Sequence, residues 1–383
     1  MSRAMRKPRV AFFIDEWRPG SGTEMQLQGL VSHLAPDDIE AHLFTLRTPL
    51  APEYRPLFPC PVDCLEIGSL TRPAAAVKLP GISARLRRGR FDAAMIYFVD
   101  SNLYLVPACR LAGIPAVVIN RRDMGYWYEP RLLRMVNFVN RGATHFLVNA
   151  AAVKEQVARH EHFPSNRIHV IPNCMWDEPY RHRLLEAGSS PPPPGFPSSG
   201  PVVGITASLR AVKRVDRFLE MSAQVARAVP GAHFVIAGQG RFMDALQEQA
   251  MKLGLRGKVH FLGQVKDVPA LLGHLKVGVL TSESEGLSNS LVEYGLAALP
   301  AVAFAVGGNP EVIQDGQTGF LVPPNDTNAL ADRVIQLLQD EEKQNQLGRA
   351  AREFCQTNFF PDRVKTMTMD FFTSLREFRG GSR

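Results

Sequence analysis

Glu285 and Glu293 stand eight residues apart in the stretch SESEGLSNSLVE (282–293). A carboxylate beside a phosphate repels it, whereas a carboxylate facing sugar or ribose hydroxyls accepts their hydrogen bonds. An apolar run ends just before this stretch, and Ser288 and Asn289 are good caps for a helix starting near 288. That puts Glu285 in a loop and Glu293 inside a helix. The first N–H groups of that helix can then turn toward an anion. Upstream, Arg210, Lys213 and Arg214 in SLRAVKR (208–214) suit a diphosphate, since Arg grips two oxygens and Lys adds a compact charge. The same residues equally suit a surface loop of solvated charges.

Three glycine turns accompany these residues. Gly238-Gln239-Gly240 offers a flat turn against which a base or ribose can lie, and Gly307-Gly308 opens a later one. The third glycine of a dinucleotide fingerprint is replaced by Met243, which argues against a nicotinamide or flavin enzyme. Gly20-Ser21-Gly22-Thr23-Glu24 lets a backbone approach a ligand, or is an ordinary strand-to-helix turn capped by Thr23. Together the loops describe a nucleotide-sugar pocket.

The elements that must hold them alternate. Apolar β-rich runs at 10–14, 41–46, 93–98, 116–119, 145–148 and 169–171 read as buried strands. Helical segments at 23–34, 103–112, 131–140 and 151–160 separate them. A Pro/Ser/Gly tract at 187–201 is a linker or surface insertion. The rhythm then restarts with strands at 202–207, 233–237, 259–262, 277–280 and 301–304. The expectation is two doubly wound α/β domains, 1–172 with a returning C-terminal helix at 357–383, and 173–356. In open parallel sheets ligands bind beyond the carboxyl ends of strands, where these motifs fall.

The 383 residues carry 44 Lys/Arg and 37 Asp/Glu, net +7. Residues 1–172 hold 22 basic and 15 acidic residues, the entire excess. Arg72, Lys78, Arg85, Arg87, Arg88 and Arg90 form the densest cluster, read as a solvated helix face or as a patch for an anionic membrane or acidic acceptor. No apolar stretch reaches a membrane-spanning length, and five scattered cysteines suit a reducing compartment. The expected location is cytoplasmic, with peripheral contact at the inner face of a membrane. Cys60 and Cys64 lack a second pair at zinc spacing, so no metal is expected.

These residues resemble family four of the retaining glycosyltransferases, which have the GT-B fold. The resemblance rests on VIPN (170–173), LRAVKRVD (209–216), VIAGQG (235–240), VHFLG (259–263), SESEGLSNSLVE, GGNPE (307–311) and TGFLVPP (318–324). It implies two Rossmann-like domains facing a central cleft, the first binding the acceptor and the second the nucleotide-sugar donor. It implies Glu285, Arg210 and Lys213 as catalytic residues: Glu285 at the donor sugar, the two cations at the diphosphate. Glu293 would hold the ribose, and Gly22, Gly238, Gly240, Val265 and residues 286–290 would line the donor. No cofactor, metal or nucleic acid is implied; the partners are the nucleotide-sugar donor and a glycan or lipid-linked acceptor.

Two departures stand out. Ser208 occupies a position where many members carry Arg, and Arg210 lies two residues on, on the same side of an extended chain. Where many have His after the 116–119 strand, this chain reads Asn120-Arg121-Arg122-Asp123. Arg121 or Arg122 can take a phosphate, Asp123 can accept a proton or bond an acceptor hydroxyl, or the three form a local ion pair. The implied activity is retaining transfer of a hexose, in cell-surface polysaccharide or glycolipid synthesis. A nucleotide-sugar epimerase and an inactive nucleotide- or glycan-binding relative are the alternatives.

Overall fold

A computed structural model describes residues 6–69 and 73–380. The chain divides into two compact units, Met1–Trp176 with Pro361–Arg383, and Asp177–Phe360. The divisions fall at 176/177 and 360/361 rather than at 172 and 356. Cys174 and Trp176 belong to the first unit's core, and Gln26 exchanges two 2.8 Å hydrogen bonds with the backbone of Cys174.

The first unit is one parallel sheet: β1 (Arg9–Ile14), β2 (Glu40–Thr45), β3 (Val62–Cys64), β4 (Ala93–Tyr97), β5 (Ala116–Arg121), β6 (His145–Val148) and β7 (Ile168–Val170). Their order is β3-β2-β1-β4-β5-β6-β7. The central strands are almost wholly apolar because helices cover both faces; Val10 through Ile14 are each 0% exposed. The helix Pro361–Gly380 returns to this unit and sets Val364, Phe371, Phe372 and Leu375 into its core.

The second unit repeats the design with β8 (Val202–Thr206), β9 (His233–Ala237), β10 (Val259–Gly263), β11 (Val277–Leu280), β12 (Ala301–Phe304) and β13 (Gly319–Val322), in the order β10-β9-β8-β11-β12-β13. The order reverses between β1 and β4 in one sheet and between β8 and β11 in the other. Chain crossovers leave in opposite directions from such a pair, so their outgoing loops part and leave room for a ligand. The Pro/Ser/Gly tract lies inside this unit, where His274 bonds the Ser190 carbonyl at 2.7 Å and faces Phe196. It is an ordered surface insertion, and the linker alternative falls.

Unit one carries 27 basic and 18 acidic residues, unit two 17 and 19. The basic cluster sits on the helix Pro73–Gly89 and just beyond it. Arg72 lies outside the described residues. Arg85 pairs with Asp63 at 2.5 Å, Lys78 bonds the Glu66 carbonyl at 2.8 Å, and Arg87 bonds the Leu111 carbonyl at 2.5 Å. Three of these cations are thus engaged within the unit, and Arg88 and Arg90 have no carboxylate partner among the described residues.

Candidate functional site

The loops leaving β8 and β11 form one braced structure. Beyond β8 the backbone turns through Ala211–Lys213 into Arg214, whose left-handed φ of +46° aims the chain into the helix Val215–Ala228. Beyond β11, Glu283 N–H donates to the Val212 carbonyl at 2.9 Å and Thr281 Oγ1 to the Lys213 carbonyl at 3.0 Å. Gly308 N–H, from the turn after β12, donates to the Glu285 carbonyl at 3.3 Å. The Glu285 loop is therefore fixed from both sides before any ligand arrives.

Within that frame Lys213 Nζ donates to Glu285 Oε1 at 2.5 Å, with side-chain exposures of 18% and 11%. The two expected catalytic charges are brought together and neutralise each other. Arg214 pairs instead with Asp216 at 2.8 Å, as the solvated-loop alternative supposes. Arg210 bonds only the Ser208 hydroxyl, at 3.1 Å, and has no carboxylate partner among the described residues. Its cation is available to an anion.

The helix Asn289–Leu296 starts as the sequence suggests, with Ser288 Oγ accepting from Leu291 N–H. Ser290 Oγ donates to the Thr206 carbonyl at 3.0 Å, and Tyr294 Oη, wholly buried, accepts from Thr206 N–H at 2.8 Å. These bonds lock the helix start against the end of β8. Its N-terminal amides share the strand-end surface with Arg210 and Lys213. Ser282 Oγ and Asn309 Oδ1, both on residues 0% exposed, have no protein partner.

Glu293, one turn into the helix, has a different setting. Burial pushes its carboxyl up to about 7, and the Tyr180 hydroxyl, donating to Oε1 at 3.0 Å, works against that rise. Two glutamates on one segment thus differ: Glu285 stands against the Lys213 ammonium, and Glu293, its carboxyl raised, stands under the Tyr180 hydroxyl. Tyr180 was not foreseen from the sequence. It lies on the helix Glu178–Leu185, 113 residues away, and only the fold brings it there.

Gly238 and Gly240 serve packing between loops. A Cβ on Gly238 would lie 1.8 Å from the Ala207 carbonyl oxygen, and one on Gly240 2.3 Å from that of Leu209. Leu209 N–H in turn bonds the Gln239 carbonyl at 2.9 Å. These glycines let the β9 turn support the β8 loop. Gly286 and the buried Leu287 continue the Glu285 loop. Val265 stands beyond the edge strand β10, two strands from β8. Gly22 opens the helix Gly22–Leu34 in the first unit.

At the corresponding end of the first sheet, β5 runs through Arg121, two residues past the expected strand. Arg121 is 2% exposed and bidentate to Glu161 at 2.8 and 2.9 Å, with the Tyr128 hydroxyl and Asn140 completing the carboxylate's bonds. Its guanidinium stacks over Trp127, 5.1 Å away. It is enclosed, and the phosphate role suggested for it is withdrawn. Asp123 accepts from Gly125 N–H at 2.7 Å and Trp127 Nε1 at 3.0 Å, and burial raises its carboxyl above the usual range. Arg122, on the other side of the strand, makes no ion pair among the described residues.

Comparison with known proteins bears on the family and the fold. Residues 189–354 match the family described as glycosyl transferases group 1, and 20–175 match glycosyltransferase family 4. The chain is 31% identical to N-acetyl-alpha-D-glucosaminyl L-malate synthase of Bacillus anthracis over 49% of each chain. It is 24% identical to a GDP-mannose-dependent phosphatidylinositol monomannoside mannosyltransferase of Mycobacterium tuberculosis, over 79% of this chain and 82% of that one. The chain spans about half the length of the first of these relatives. Its fold resembles HepE of Anabaena crystallised with UDP (TM-score 0.77, 19% identity, 96% and 100% of the two chains). It also resembles sucrose-phosphate synthase of Thermosynechococcus elongatus (TM-score 0.79, 18% identity, 97% and 100%). These likenesses give the GT-B type of fold.

Proposed function

Because the chain belongs to the family four glycosyltransferases, we propose that it moves a hexose from a nucleoside diphosphate sugar to a glycan or lipid-linked acceptor, with retention at the anomeric carbon. The observation that carries this reading is the unlike pair of glutamates on the segment after β11. Glu293, ionised when ribose hydroxyls donate to it, holds the nucleoside. Arg210, Lys213 and the amides at the start of the helix Asn289–Leu296 take the diphosphate and stabilise the charge that gathers on it as the glycosidic bond breaks. Binding of the phosphates draws Lys213 toward them and leaves Glu285 facing the sugar, where its charge supports the positive anomeric carbon.

Retention follows if the acceptor hydroxyl attacks from the face the diphosphate is leaving. A departing phosphate oxygen then takes the hydroxyl's proton, so neither an enzyme nucleophile nor a metal is required. The acceptor falls to the first unit, whose basic excess suits an anionic glycan or an anionic membrane surface. Arg88 in the helix Pro73–Gly89, Arg90 just beyond it, and the exposed Met135 and Phe138 of the helix Pro130–Asn140 are the residues that would meet such a surface.

The test is nucleotide release from a panel of nucleotide sugars, with and without cell-envelope extract and with and without chelator. Transfer predicts release that needs the extract and ignores the chelator. Consumption of donor without acceptor would make it an epimerase, and saturable binding without any release would make it a binding protein.

A further inference from the structure

The first sheet ends in a cationic group that the proposed transfer does not employ. Arg122 follows Arg121 directly but faces away from Glu161, and it is half-buried where Arg121 is enclosed. Its Nη2 donates to Asn173 Oδ1, which also accepts from Asn149 Nδ2 at 3.3 Å. Register pairs Arg121 with Val148, so Asn149 lies beside Arg122 at the next step along β5 and β6. Asn149 is 2% exposed and its Oδ1 has no protein partner. Arg122 has no other side-chain hydrogen bond and no counter-carboxylate among the described residues. Burial pulls its guanidinium below its ordinary value.

A half-buried guanidinium bonded only to an amide oxygen keeps most of its N–H donors unfilled by the protein, and a carboxylate or phosphate fills them best, two oxygens at a time. The unpaired Asn149 oxygen alongside can only accept, so it fits a hydroxyl donor next to that anion.

We propose that Arg122 and Asn149, joined through Asn173, form an anion-binding subsite for a carboxylate or phosphate adjacent to a sugar hydroxyl on one of the two substrates. This rests on the transferase reading and extends it: either the acceptor or the transferred sugar is acidic.

Inorganic phosphate is the probe. Titrated calorimetrically into full-length Arg210→Gln protein, which lacks the open cation of the second unit, it should bind saturably. Adding Arg122→Gln should weaken that binding at least about tenfold, and Arg122→Lys should fall between the two. Equal binding in all three proteins overturns the subsite, whatever the protein's activity. In otherwise unaltered protein, transfer from a neutral and a uronate donor then separates the sources. If Arg122→Gln raises the acceptor KM with the neutral donor, the acceptor is acidic. If it lowers kcat/KM only with the uronate, the sugar is. Unchanged kinetics with both donors overturns the substrate assignment.

Discussion

Beyond β11 two acids have unlike partners, one the Lys213 ammonium and one the Tyr180 hydroxyl; beyond β5 two adjacent bases differ in the same way, one against Glu161 and one without a carboxylate among the described residues. Each sheet thus neutralises one member of a like-charged pair and leaves the other open. The consequences differ because the neutralised pairs differ. Lys213 and Glu285 retain some exposure and a single contact, so a ligand can part them. Arg121 and Glu161 are bidentate, enclosed and cross-braced by Tyr128 and Asn140, and no ligand can reach them. The first is chemistry at rest, and the second is framework.

The largest expected effect breaks the framework. Glu161→Gln leaves Arg121 charged and buried, which should cost about 3–5 kcal/mol. Denaturant unfolding followed by the tryptophan fluorescence of the first unit should show it, while Arg122→Gln should leave that transition unchanged. Equal losses would erase the distinction between the two arginines.

A smaller effect tests the second unit. Glu293 is protonated below about 7, and only its ionised form can accept from both ribose hydroxyls. Nucleotide affinity should therefore fall as pH drops from 8 to 5, by up to about tenfold per unit below 7. Glu293→Gln should flatten that profile. The sign is opposite for stability: a carboxyl raised above 4.5 favours the fold when protonated, so this group's contribution declines as pH rises from 4.5 through 7.

Smaller again is Tyr180→Phe. Removing the hydroxyl leaves the carboxylate without its donor, so the midpoint of the pH profile should move upward and nucleotide should bind about fivefold more weakly at pH 7. An unmoved midpoint would remove Tyr180 from the site.

Much of this was legible in the sequence where chemistry is local. The Ser288 cap, the Glu285 loop and the strand-end position of Arg210 follow from residue type and spacing over a dozen residues. What escaped depends on contacts distant in the chain. Tyr180 meets Glu293 across 113 positions, and Glu161 meets Arg121 across 40. Without those partners the sequence ranks Arg121, Arg122 and Asp123 equally, though only Arg122 keeps an open cation. Gly238 and Gly240 show in the sequence a need for close backbone approach but not the neighbours that require it, the carbonyls of Ala207 and Leu209. The short edge strand β3 and the helix Pro73–Gly89, interrupted by Pro80, gave no clear periodic signal.

The central claim is that Glu285 acts on the reacting sugar and Glu293 on the nucleoside. Measuring turnover and nucleotide Kd together for Glu285→Gln and Glu293→Ala tests it most directly. The account predicts that Glu285→Gln lowers kcat about 100-fold or more with nucleotide Kd little changed, and that Glu293→Ala weakens nucleotide binding with a smaller loss of kcat. Two variants with the same profile, or a Glu285→Gln enzyme that turns over normally, would contradict it.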